Sequence, residues 1–265
     1  MEMNRSLFVG LRRLLSLKLY WIVLLGGVLI YAGYASSEPN TFNISHYTLF
    51  LFCPVAVISS LFTAYLVGTD YSDGMLRNRL IIGCERWRVY LSWMVVGSIG
   101  AFIIYFSGFM ITLAIGLSKD HAFPMETKLY LVRFGIGFLV LTAQVALSLI
   151  VSVLAGKRNK ALIWCVFLNA VMVLAVYALK NLVGVIGIGT DAYDRFLLAF
   201  SKLFFHGTSF GQMLLIWLDY GANGYHGDLQ EIMDIRPTVD VITMISFIGI
   251  VTAAGILIFR RKDID

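Results

Sequence analysis

The residues best equipped for chemistry crowd into one stretch, 68–88, which reads GTDYSDGMLRNRLIIGCERWR and carries Asp70, Asp73, Arg77, Arg79, Glu85, Arg86 and Arg88. Carboxylates and guanidiniums at this density can pair with one another, cap helix ends or fix the register of a docked surface. They are not placed to bind a nucleotide. The single Gly-Lys pair, Gly156-Lys157, is followed by Arg158 and lacks the glycines that cradle phosphate, so no Walker A sequence is present. The four histidines, His46, His121, His206 and His226, are scattered, and neither HExxH nor GxSxG occurs. His206 and His226 stand near acidic residues, as a metal or pH-sensing pair would, although solvated loop histidines are commoner. Cys53, Cys84 and Cys165 are far apart with no metal-ligand spacing and read as packing residues. No catalytic group, metal site or cofactor site is expected in this chain.

The elements around this stretch are oily. Of 265 residues 59% are hydrophobic and 14% charged, a balance expected of a multi-pass membrane protein. A net charge of +5 would suggest nucleic acid in a soluble domain, but here the basic residues gather at segment ends, and no nucleic-acid partner is expected. Six apolar runs are long enough to span, at about 19–35, 47–67, 89–117, 129–154, 161–179 and 239–259. The expected fold is therefore an all-α integral membrane protein of six transmembrane helices, forming one domain over 1–265. The first run is not a signal peptide, because its basic lead is too long and no small-x-small site closes it.

Topology follows from the basic residues. The N-terminus, the 68–88 stretch, the turn Gly156-Lys157-Arg158-Asn159-Lys160 and the closing Arg260-Arg261-Lys262 alternate with basic-poor segments, which places both termini in the cytoplasm. The loop after the first run is external and holds an Asn43-Ile44-Ser45 sequon. The acidic, aromatic-rich segment 180–238 reads as external helices whose apolar runs have re-entrant or interfacial length. Gly184, Gly187 and Gly189 mark a loosened end to the fifth span.

Residues 1–18 form an interfacial helix, with Leu7, Leu11, Leu14 and Leu15 at helical spacing and Arg5, Arg12, Arg13 and Ser16 on other faces. Its arginines would meet anionic lipid; a basic tail that merely sets topology is the alternative. Pro54 near the outer end of the second span is a tolerated kink, and Gly97, Ser98 and Gly100 in the third permit close helix approach. Gln144 and Asn169, deep in the fourth and fifth spans, are candidates to line a substrate path or, more ordinarily, amides bonded to a neighbouring helix. No carboxylate lies at mid-span, which argues against an autonomous proton-driven carrier.

Within 68–88 the pattern predicts a short helix, capped by Asp73 or Ser72 and ended at Gly83 by the left-handed conformation glycine permits. Met75, Leu76, Leu80 and Ile82 would share one face, interrupted by Arg79, with Arg77 and Asn78 pointing elsewhere. A solvated basic loop that only orients the protein is the alternative.

Residues 68–78, Gly-Thr-Asp-Tyr-Ser-Asp-Gly-Met-Leu-Arg-Asn, resemble the pattern that ends the second span of ABC-2 type transporter permeases, and the likeness continues through Glu85-Arg86-Trp87-Arg88. The closing Phe259-Arg260-Arg261-Lys262-Asp263-Ile264 is similar to the end of such permeases. The resemblance implies a transmembrane subunit in a bacterial cell membrane that pairs with an identical or sibling permease and with two separate ATPase subunits, which hold the ATP and Mg²⁺. It makes the stretch a cytoplasmic coupling helix, with Asp70, Asp73, Gly74, Met75, Leu76, Arg77, Leu80 and Arg86 as ATPase-coupling residues. The N-terminal helix, with Leu7, Leu11, Arg12, Arg13 and Leu14, becomes a connecting helix against membrane lipid. Export of an amphipathic or lipid-like substrate, such as an antimicrobial peptide, is the expected activity. The alternative is a membrane sensor or immunity protein that binds a peptide at the external segment without moving it.

Overall fold

The computed structural model describes residues 2–37, 52–118, 127–186 and 237–262, and every element among them is helical. In chain order these are α1 (Glu2–Ser16), α2 (Lys18–Ser37), α3 (Phe52–Ser72), α4 (Met75–Ile81), α5 (Arg86–Ser118), α6 (Thr127–Ala155), α7 (Arg158–Ile186) and α8 (Pro237–Arg261). Each predicted apolar run lies largely or wholly within one long helix. Four helices among the described residues carry stretches long and apolar enough to cross a membrane: Arg86–Ile115, Phe134–Ala155, Arg158–Ala175 and Val241–Arg261. The apolar stretch of α2, Tyr20–Leu29, is shorter. Such a set is compatible with a multi-pass membrane protein.

α3 lies at the centre, packed on α5, α6 and α7, while α8 packs on α6 and α5 and both α1 and α2 lean on α5. Small residues make this possible, because between apolar helices close contact replaces the hydrophobic drive. A Cβ on Gly97 of α5 would stand 2.8 Å from Val145 Cγ1 of α6 and 3.1 Å from Thr63 Oγ1 of α3, so three helices meet there. At Gly100 a Cβ would come within 3.0 Å of Leu14 Cδ2, and the Gly100 carbonyl accepts a 3.1 Å bond from the Tyr20 hydroxyl. The expected close approach at these glycines is present.

Two boundaries differ from the sequence pattern. α3 does not stop near Val67 but continues for a further turn to Ser72, carrying the start of the charged stretch in helical form. The buried pairing of Asp70, described below, allows this. α7 likewise runs through Gly184 to Ile186, since one glycine in a helix costs only about 1 kcal/mol. The sequon, Gly187 and Gly189, the four histidines and all of the acidic segment between 187 and 236 lie outside the described residues.

Candidate functional site

The charged stretch converges on one carboxylate. Asp70, on the last turn of α3, is 2% exposed, too buried to be tolerated as an isolated charge. Arg13 of α1 forms a salt bridge with Asp70 Oδ1, and Arg79 Nη1 of α4 lies 3.4 Å from Oδ2. Trp93 of α5 donates its indole N–H to the same Oδ2 at 2.7 Å. Four helices are thus tied by a single side chain. Arg13 also reaches Asp73 Oδ2 at 3.4 Å. Burial pushes both guanidiniums below their usual range, Asp73 opposing that shift for Arg13 and Cys84 for Arg79. Beside this junction is a cleft of about 20 Å³, lined by Gly10, Thr63, Ser92 and Val96 among others, with room for about one water.

Arg13 therefore does not face lipid as the sequence suggested. Leu14 is buried and Leu7 and Leu11 pack on the core, while Gly10, one turn before Arg13 on the same face, lies against Val96 of α5, so Arg13 is carried inward. Arg12 is exposed, together with Phe8, Val9 and Leu15. Leu15 consequently leaves the apolar face it was assigned to.

The short helix forms where expected, but its cap differs. Gly74 itself is the N-cap, in the left-handed region at φ 67°, and no side chain caps the helix. Asp73 and Ser72 are engaged elsewhere: Asp73 faces Arg13, and the Ser72 hydroxyl accepts the backbone N–H of Arg158 at 3.2 Å. Gly74 thus ends α3 and starts α4 in one residue, a turn that a side chain would strain. Gly83, at φ 95°, closes the helix as predicted, its N–H reaching the Leu80 carbonyl at 3.0 Å.

The faces of α4 also divide differently. Leu76 is buried and Leu80 packs on the core, with Met75 half-buried. Ile82 does not join them. Ile81 and Ile82 are 73% and 80% exposed, beside exposed Arg77 and Asn78. The outward surface is therefore Arg77, Asn78, Ile81 and Ile82, of which sequence periodicity singled out no apolar member as outward-facing. The isoleucine pair directly before the left-handed Gly83 is the sequence signal of it.

Arg86 turns to the last helix instead of outward. Its Nη1 donates to the carbonyls of Phe259, Arg260 and Lys262 at 3.1, 3.1 and 2.6 Å, satisfying the orphan acceptors of the α8 C-terminus. Lys262 does the same for α6, donating to the carbonyls of Val153 and Leu154 while its ammonium lies 5.2 Å from the centre of the Tyr71 ring. Burial lowers the Lys262 pKa and raises that of the Tyr71 phenol, the latter against the pull of Arg86. Glu85 is taken up locally, by Arg88 at 2.8 Å and the Trp87 indole at 2.7 Å.

Gln144 and Asn169 are brought together at Ser60, further back along α3 from Asp70. Gln144 Nε2 donates to Asn169 Oδ1 at 3.0 Å, and Asn169 Nδ2 donates to Ser60 Oγ at 2.9 Å and the Cys165 carbonyl at 2.6 Å. Ser148 bonds Ser60 at 2.7 Å, so α3, α6 and α7 share a buried polar seam. Both amides are sealed, at 0% and 4% exposure. Cys165 packs in the same seam and Cys84 is half-buried, both as free thiols.

No family model and no curated protein matches the chain.

Proposed function

We propose that this chain is the permease subunit of an ATP-binding cassette transporter of the ABC-2 type. It crosses a bacterial cell membrane six times with both termini and α4 in the cytoplasm, pairs with a second permease, identical or sibling, and is driven by two separate ATPase subunits that bind ATP and Mg²⁺. The observation that carries this reading is the construction of α4. One side is locked into the bundle through Leu76 and the Arg79–Asp70 pair, while the other holds Ile81 and Ile82 in the open. Adjacent exposed isoleucines on a rigid base suit a surface built to be covered by another protein. Force applied there reaches α1, α3 and α5 through Asp70, and Arg86, at the start of α5, ties that helix in turn to the end of α8. An amphipathic or hydrophobic cargo, such as a peptide or lipid-like compound, suits a bundle whose interior amides are bonded to one another.

The experiment is copurification of the tagged full chain with the ATPase encoded in its gene neighbourhood. Ile81→Asp and Ile82→Asp are expected to insert and melt like the unaltered chain but to lose the ATPase and its coupled hydrolysis. Leu76→Asp is not a fair test, because Leu76 is 1% exposed and a buried aspartate would disrupt the fold. Should the unaltered chain bring down no ATPase, the transporter reading is wrong and a peptide-binding sensor or immunity protein takes its place.

A further inference from the structure

The end of α3 is gripped on two opposite faces. Asp70 turns toward α1 and α4, whereas Tyr65, Gly68 and Ser72, which form a stripe on the other side, meet the start of α7. The contact is a backbone one: a Cβ on Gly68 would fall 2.6 Å from Arg158 Cα. Ser72 accepts the Arg158 N–H, and the Arg158 guanidinium lies 5.9 Å from the centre of the Tyr65 ring. Gly156 makes the preceding turn at φ 64°. The hairpin is therefore set rigidly beside the root of α4, about one helix diameter, roughly 10 Å, away across α3.

Its side chains Lys157, Arg158, Asn159 and Lys160 are all exposed, and exposed Arg260 and Arg261 follow from the adjoining end of α8. Among the described residues no carboxylate pairs with Arg77, Lys157, Lys160, Arg260 or Arg261, while the exposed Asp73 and Glu85 are already taken by Arg13 and Arg88. Among the described residues this concentration of positive charge is not paired within the chain.

We infer that the 156–160 hairpin is a second foot of the docking surface, which straddles the end of α3 with α4 as the first foot, and that the partner meets it with acidic residues bordering the groove that takes Ile81 and Ile82. The inference rests on the permease reading, with the ATPase as the partner. A lipid surface is the other anion on offer. It would be served equally by a loose basic tail, whereas this hairpin is fixed by a backbone contact and a cap and has no apolar side chain to insert. Preset geometry points to a protein, whose specific contacts gain from a fixed charge array.

The test places the full chain in nanodiscs of phosphatidylcholine alone and titrates the neighbouring ATPase against it. At about 50 mM salt Lys157→Glu/Lys160→Glu should weaken binding about tenfold, and at about 500 mM, where surface charges are largely screened, the two chains should bind alike. The milder Lys157→Gln/Lys160→Gln covers the case in which charge reversal impairs folding, and should weaken binding about threefold. Reversal without effect at low salt, while Ile82→Asp abolishes binding, overturns the second foot and leaves the permease reading standing. Binding of the unaltered chain that ignores salt overturns it likewise. ATPase capture that appears only with anionic lipid present assigns the hairpin to the membrane and also overturns it. No capture by the unaltered chain in any disc removes both readings together.

Discussion

The Trp93 indole donates to Asp70 Oδ2 at 2.7 Å, and through that carboxylate the N-terminal part of α5 is joined to the guanidiniums of Arg13 and Arg79. One buried anion thus holds two cations from elements that lie on either side of it in sequence. Removing the anion leaves both cations in a low-dielectric site, which is worse than never having had the pair. Asp70→Asn should therefore lower stability by about 3 kcal/mol, read as a fall in the unfolding midpoint in detergent. Arg13→Gln should cost less, since Arg79 and Trp93 remain on the carboxylate. Because Trp93 is an indole in the junction, its fluorescence should shift in Asp70→Asn before global unfolding. A melt of Asp70→Asn that overlays the unaltered chain would show that the junction is not what holds α1 and α4 in place.

Gly68 and Gly26 make a matched pair. Both are helical, but a Cβ on Gly68 meets the Arg158 backbone at 2.6 Å, while one on Gly26 meets nothing within 4 Å. Backbone cannot rotate away as a side chain can. Gly68→Ala should destabilise by about 2 kcal/mol through overpacking. Gly26→Ala should be neutral or raise stability by up to about 1 kcal/mol through helix propensity. Thermal unfolding of the two variants side by side decides it, and equal melts would mean that α3 and α7 are not in backbone contact at that point.

What was legible in the sequence was the apolar length of the helices and the glycine punctuation. Gly83 ends α4 and Gly97 and Gly100 admit neighbours because those roles depend on the absence of a Cβ, which the sequence states outright. The facing of side chains was far less legible. In a membrane protein lipid and interior are both apolar, so periodicity does not separate Leu76, which is buried, from Ile82, which is 80% exposed. A seven-residue helix offers too few turns to define a stripe, and a left-handed glycine at each end breaks its register with its flanks. Arg13 was misplaced for a different reason. The pattern marked it as polar and hence outward, but its partner Asp70 is 57 residues away, and no local spacing signals that pairing.

The buried amides give the next prediction. Asn169 bonds Gln144, Ser60 and the Cys165 carbonyl at once, so Asn169→Ala removes one bond each from Gln144 and from Ser60, which keeps Ser148, inside the bundle. A loss of about 1 kcal/mol is expected, at the scale measured for such bonds between membrane helices. Asn169→Leu should cost more, because leucine is bulkier than the seam and still bonds nothing. If the seam is structural, unfolding shifts and any transport falls only in proportion to folded protein. Unchanged stability with transport abolished would instead return Gln144 and Asn169 to a role as path-lining groups.

The last prediction concerns Arg86 and the closing residues. Three carbonyls of the α8 C-terminus converge on one guanidinium nitrogen, and Lys262 from the same terminus caps α6. Arg86→Gln keeps a shorter donor that does not reach the same three acceptors, and should cost about 1–2 kcal/mol as charge-assisted bonds are lost. Lys262→Met should cost a similar amount by freeing the α6 carbonyls. Because Arg86 accounts for the α8 end and Lys262 for the α6 end of one contiguous knot, the double variant should lose less than the sum of the two single losses. A double-mutant cycle on unfolding free energies measures that shortfall. Strict additivity would mean that the two caps act independently.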